Sequence, residues 1–152
     1  LNPFTFVSQL RANFDGTIIL GGALGHGREV LAAEVLGADF AYMGTRFIAT
    51  HEANAAPAFK QMLLDAESTD IVYTDKVSGI AGNFLRPSLQ SAGVDWSSSA
   101  EAPRIDAAKD QEIFAWRDIW SAGQGVGLID DLPTVAELAA RLKAEYMQAR
   151  EG

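Results

Sequence analysis

The sequence has no cysteine, which removes disulfides, thiolate nucleophiles and thiolate metal ligands from the chemistry open to it. Histidine is almost as scarce. His26 and His51 are the only two, and the adjacent His51 and Glu52 lack the spacing of a ligand pair, so no metal site is expected. Positive charge is in short supply too, with 12 Lys and Arg against 20 Asp and Glu and a formal net charge of -8. With no basic stripe to displace counterions, neither nucleic acid nor an anionic membrane is an expected partner. No apolar run reaches the ~18 residues of a spanning helix, and the first residues lack a basic segment followed by an apolar one. A cytoplasmic protein is expected. What remains is 48% hydrophobic and 21% charged over 152 residues, enough for one domain with a real core.

The organising stretch is residues 17–50. Thr17, Ile18, Ile19 and Leu20 form a short β-branched run bounded by glycine, which predicts a buried strand. Gly21, Gly22, Gly25 and Gly27 follow and allow a tight turn. Residues 28–36 predict a helix with Leu31 and Val35 on one face, beside Ala32, Ala33 and Leu36, closed by Gly37 as a C-terminal cap. Residues 39–43 predict a second strand, ending at Gly44 and Thr45. Strand, helix and strand in this order form a βαβ unit with parallel strands. Both glycine turns then lie at the same end of the sheet, where their N–H groups converge on an anion; the other reading of the glycines is that they only turn the chain. The spacing is not that of a dinucleotide fingerprint.

Along the rest of the chain, Asn2 and Pro3 predict a capped helix with a stripe of Phe4, Val7 and Leu10. A helix beginning near Asn54 and Pro57 places Phe59, Met62, Leu63 and Ala66 in the core. Residues 70–74 are a further candidate barrel strand, 76–86 read as loop, and 97–103 as an exposed connector. Residues 111–120, with Ile113, Phe114, Trp116, Ile119 and Trp120, predict a helix burying aromatics. Residues 121–127, SAGQGVG, form a second glycine-rich stretch. Thr134 and Glu137 predict a capping box for a last helix whose face is Val135, Leu138, Leu142, Tyr146 and Ala149. Arg46 has two readings, a phosphate ligand or a salt bridge in the wall. His26 likewise is either a surface loop residue or a neutral imidazole beside a phosphate.

The segment GGALGHGREVLAAEVLGADFAYMGTRFIAT followed by x-E, with Pro57, Phe59, Lys60, residues 70–74, Gly79 and SAGQGVGLI at 121–129, resembles the nitronate monooxygenase family, also called 2-nitropropane dioxygenases. The interval 96–110 matches poorly, and His26 departs from the family pattern. MGTRF is the most specific part, although flavin-dependent enoyl-ACP reductases have a similar segment and the IMP dehydrogenase group a looser one. The resemblance implies an FMN-dependent TIM-barrel enzyme that takes a nitronate or nitroalkane and oxygen to a carbonyl compound and nitrite. It implies that the FMN phosphate is held at Gly21, Gly22, Gly44 and Thr45, with Tyr42 and Met43 close by and Gln124 near the flavin or substrate. The family's histidine belongs to a loop ahead of Leu1, so no catalytic residue is assigned. An enoyl-ACP reductase-like oxidoreductase and an inactive barrel fragment are the alternatives.

A closed eight-stranded barrel takes about 200 or more residues, and this chain opens on Leu1. The expectation is therefore an α/β chain forming the C-terminal part of a TIM (β/α)8 barrel, with a partly helical insertion before the last helix; a small self-contained α/β domain is the alternative. The expected division is 1–74 for barrel strands and phosphate turns, 75–120 for the insertion, and 121–152 for the glycine-rich loop and final helix. A missing N-terminal barrel part, or self-association through an unpaired strand edge, is expected with it. On this reading the isolated chain binds FMN weakly or not at all.

Overall fold

The computed structural model describes residues 2–97 and 117–152. Asn2 accepts the Thr5 N–H at 3.0 Å and starts helix α1, Pro3–Arg11, with Pro3 in its first turn. Strand β1 is Ile19–Gly21, helix α2 is Gly27–Leu36 and strand β2 is Phe40–Tyr42. The two strands are parallel, with Ile19 opposite Phe40, Leu20 opposite Ala41 and Gly21 opposite Tyr42, as the βαβ reading expects. Gly37 caps α2 at φ +103°, a value that favours glycine. Arg11 ties the unit together, donating to the Gly37 carbonyl at 2.9 Å and to Asp39 at 2.6 Å. Asp39 also accepts the Ile18 N–H at 2.8 Å. That N–H first, and then Arg11, hold its carboxyl below the usual carboxylate range. Val7, Ile18, Leu20, Ala33 and Ala38 form the core here.

Three expectations of burial are corrected. The helix turns Ala33 inward and leaves Val35 exposed, because the covered side is set by where β1 and α1 sit rather than by the widest run of apolar residues. In β1 only Leu20 is buried, and Ile19 points to the open side. Phe4 is exposed as well, so the buried stripe of α1 is narrower than its apolar positions suggest.

After β2 come the short helix α3, Thr45–Ile48, and helix α4, Pro57–Asp65, with Pro57 in its first turn. Leu63 and Ala66 are buried as expected, and Phe59 and Met62 pack against them. Strand β3, Ile71–Thr74, corrects a further expectation. It pairs antiparallel with β4, Gly82–Leu85, in a separate sheet and is not a strand of the parallel pair. The segment 76–86, expected as loop, thus contains a strand. Gly79 at φ +72° lies between the two, and Phe84 and Leu85 are fully buried; their burial outweighs the loop character of the flanking glycines. Helix α5, Arg86–Ser91, follows. The expected connector falls outside the described residues except for Ser97, as does the helix expected at 111–120 up to residue 116. Ile119 and Trp120 are described and are not helical. Trp120 stacks on Phe59 with ring centres 5.0 Å apart, and its main-chain N–H donates to Ser88 Oγ at 2.6 Å.

Helix α6, Val135–Glu151, begins with the expected capping box: Glu137 N–H donates to Thr134 Oγ1 at 3.2 Å and Thr134 N–H to Glu137 at 2.8 Å. These contacts hold the Glu137 carboxyl below the usual range, the Thr134 N–H contributing most. Glu52 adds a distant cap, accepting the Val135 N–H at 2.9 Å. A carboxylate there also favours the positive end of the helix dipole. Replacing Glu52 with alanine is expected to cost about 1 kcal/mol, read as a lowered urea midpoint. Leu138, Leu142 and Tyr146 face inward, whereas Val135 and Ala149 do not. The helix lies directly on α2: a β-carbon at Gly27 would sit 2.1 Å from the Leu142 carbonyl oxygen and 2.5 Å from Tyr146 N. No helix among the described residues is long and apolar enough to cross a membrane.

Candidate functional site

Because β1 and β2 are parallel, the turns that follow them emerge on the same side. After β1 the chain passes through Gly22 at φ +94° and Ala23 at φ +58°, two successive left-handed residues. Gly22 suits such a value; Ala23 bears strain there. After β2 the chain reaches Met43 and Gly44, and α3 begins. Gly22, Ala23 and Leu24 from the first turn share one hollow with Tyr42, Met43, Gly44 and Thr45 from the second. Gly123 and Gly125 supply a third wall. The hollow is small, with a volume of about 30 Å³, far below the ~300–1,000 Å³ of sites that bury a whole drug-sized ligand. It suits the anionic end of one.

The polar groups of the hollow are mostly main chain. The N–H groups of Thr45 and Arg46, at the start of α3, have no acceptor within that helix. Thr45 Oγ1 accepts the Gly123 N–H at 2.8 Å, which leaves its own hydrogen to donate elsewhere. Gly44 has φ -100°, a value open to any residue, and a β-carbon there would meet nothing within 4 Å. The fold does not require glycine at this position. A side chain would instead fill space that a bound group could use, so the residues present fit a phosphate-sized anion.

The sequence-derived residues distribute as follows. Gly22, Tyr42, Met43, Gly44 and Thr45 line the hollow. Gly21 ends β1 opposite Tyr42 and is not in the lining. Gln124 also lies outside the lining, with an exposed side chain and its carbonyl accepting from Ser68 Oγ at 2.8 Å. Ala23 and Leu24 carry no sign of this place in their residue types, whereas Gly123 and Gly125 belong to the glycine-rich stretch 121–127. Of the two readings of Arg46, the ion pair is observed, its side chain being 3% exposed and 2.5 Å from Asp131, and the residue also lines the hollow. It also donates to the Ala49 and Asp131 carbonyls at 3.2 and 3.3 Å. Asp131 pairs with Arg141 as well, and Arg141 first, then Arg46, draw its carboxyl below the usual range. His26 caps α2 outside the lining, and Glu29 accepts the main-chain N–H groups of Gly25 and His26. The exposed His51 donates its N–H to the Pro133 carbonyl at 3.0 Å. Among the described residues no group of side chains could hold a metal ion.

The nitronate monooxygenase family model matches residues 2–145. A nitronate monooxygenase of Paraburkholderia phytofirmans is 31% identical over 161 aligned positions, covering 99% of this chain and 43% of its own length. A probable nitronate monooxygenase of Staphylococcus haemolyticus is 32% identical over 79 residues, covering 52% of this chain and 22% of its own. This chain thus spans less than half the length of either relative. Among solved structures, FabK from Thermotoga maritima superposes with a TM-score of 0.79 at 25% identity, over 99% of this chain and 50% of that one. Nitroalkane oxidase from Streptomyces ansochromogenes gives 0.71 at 22% identity and shares the fold. The observed α/β alternation fits part of a barrel of that kind. A match over residues 2–145, together with these relatives, places the chain in the nitronate monooxygenase family.

Proposed function

We propose that this chain forms the phosphate-holding corner of an FMN-dependent enzyme that oxidises nitronates or nitroalkanes with oxygen, giving a carbonyl compound and nitrite. The observation that carries the proposal is the shared hollow: two turns after adjacent parallel strands, with Gly44 leaving its floor open. The first-turn main chain at Gly21 and Gly22, the N–H groups of Gly44 and Thr45, and the Thr45 hydroxyl would hold the phosphate, with Tyr42 and Met43 alongside. Bound FMN supplies the electron-accepting chemistry. The residues of this chain bind and orient, and Arg46 acts indirectly by bracing the start of α3 against Asp131. Gln124, just beyond the hollow, is proposed to lie near the flavin or substrate. No catalytic residue is assigned, since neither histidine lines the hollow. On this reading β1 and β2 are the last strands of the barrel, the chain is its C-terminal part, and the protein is cytoplasmic.

Titration with FMN and with riboflavin, followed by flavin fluorescence, tests the phosphate reading. FMN is expected to bind more tightly than riboflavin, although weakly overall. Gly44→Leu should abolish that preference while shifting unfolding stability by less than about 0.5 kcal/mol, as at an open surface position. Equal binding of the two flavins by the unaltered chain would remove the phosphate assignment. In the enzyme, flavin reduction stimulated by NADH or NADPH would favour the reductase alternative over nitronate oxidation.

A further inference from the structure

The third wall of the hollow is fixed from several sides. It leads into a short 3-10 helix, Gln124–Leu128, whose Val126 is fully buried with Leu63, Leu85 and Ile129. Ser68 Oγ donates to the Gln124 carbonyl at 2.8 Å. A β-carbon at Gly127 would lie 2.6 Å from that Ser68 oxygen and 2.9 Å from Ser68 N. On the other side, a β-carbon at Gly125 would lie 3.3 Å from the Ala23 carbonyl carbon and 3.5 Å from Leu24 N. Glycine at these two positions lets main chain meet main chain, and the segment is wedged between Ser68 and the turn after β1.

So held, the segment presents the Gly123 N–H to Thr45 Oγ1 at 2.8 Å. A threonine hydroxyl rotates to suit its neighbours. Here its oxygen is already engaged, so its hydrogen turns away from Gly123, and among the described residues no acceptor receives that hydrogen. Thr45 lines the hollow, which is where an acceptor can reach it. We propose that Gly123 is a positioning residue for the anion: its main-chain N–H turns the Thr45 hydroxyl into a fixed donor toward the hollow. A donor of this kind bonds roughly twice as strongly to an ionised oxygen as to a neutral one, so the hollow favours a phosphate monoester over a ligand that ends in a hydroxyl. The proposal rests on the phosphate reading above and assigns part of that selectivity to a residue 78 positions from Thr45, acting through it.

The test replaces the Gly123 amide with an ester by incorporating glycolic acid there, which removes the N–H and adds no side chain. Binding of FMN and of riboflavin is followed by flavin fluorescence in the unaltered chain, the ester, Thr45→Val and the two changes combined. Thr45→Val should lower the preference for FMN about tenfold, the size of a hydrogen bond to a charged group, whereas Thr45→Ser should retain it. The ester should remove most of the same preference. With Thr45→Val already present it should change the preference by less than about twofold, because both changes break one interaction. In the ligand-free chain, exchange of the Gly123 amide hydrogen should accelerate with Thr45→Val and not with Thr45→Ser. An ester that lowers the preference equally in both backgrounds would mean that the segment only shapes the wall, and would overturn the proposal. So would an ester without effect, or a Gly123 amide indifferent to Thr45→Val. If the unaltered chain binds both flavins equally, the phosphate reading falls and this proposal with it; in the other cases this proposal falls alone.

Discussion

Replacing Gly27 with alanine is expected to destabilise the protein by about 3 kcal/mol and to loosen helix α6, an overpacking cost at the upper end of the usual range. The methyl group would fall 2.1 Å from the Leu142 carbonyl oxygen, 2.5 Å from Tyr146 N and 2.7 Å from Glu145 Cβ. Two of those atoms belong to the main chain, so no rotamer change relieves the contact. The helices must separate. Separation gives up the Gly27 N–H bond to Glu145, 2.7 Å long, and the contact between the Tyr146 hydroxyl and Glu34. It also opens the site occupied by Leu138, which is 1% exposed. Alanine has better helix propensity than glycine by roughly 1 kcal/mol, but Gly27 opens α2 and that gain is smaller in a first turn. Urea unfolding measures the loss, and hydrogen exchange along α6 locates it. A change below about 1 kcal/mol would mean that α2 and α6 do not meet through their backbones.

Asp131→Asn is expected to cost about 3 kcal/mol near neutral pH, the lower end of what breaking a buried pair costs, because Asp131 is itself 38% exposed while Arg46 is almost fully buried. The substitution leaves the Arg46 guanidinium with carbonyl acceptors but no countercharge, and it also releases Arg141. Acid gives an independent check. The folded Asp131 carboxyl titrates below its ordinary value of 3.8, so its stabilisation is complete above that value and is lost as pH falls through the depressed one. The urea midpoints of the unaltered protein and the variant should therefore differ most near neutrality and converge as pH falls through the depressed value. Asp39 is depressed in the same direction, but it is common to both proteins and cancels in the comparison. A constant difference across the acid range would show that the asparagine acts through packing alone.

The parts of the fold that could be read from sequence are those set by neighbours along the chain. Asn2 with Pro3, Thr134 with Glu137, and Gly37 after a helical run each act within one turn, and each occupies the expected place. The βαβ unit was legible for the same reason. The β3–β4 hairpin was not, since Gly79 and Gly82 punctuate like loop residues and only the burial of Phe84 and Leu85 makes a strand of that stretch. At the hollow, the convergence of the two turns followed from the strands being parallel. Its third wall did not. Gly123 reaches Thr45 across 78 residues of sequence, and no local pattern announces a partner so distant. Ala23 was missed because alanine gives no sign of a left-handed backbone. FMN and nitronate came from resemblance, since backbone amides alone identify an anion and not its owner.

The Thr45–Gly123 hydrogen bond also has a consequence for biosynthesis. A nascent chain that has left the ribosome only as far as α3 displays both turns yet has neither the third wall nor the contact that fixes the Thr45 hydroxyl. On the proposed reading, ligand capture waits until Gly123 has emerged, and a product that stops before it lacks a finished cradle.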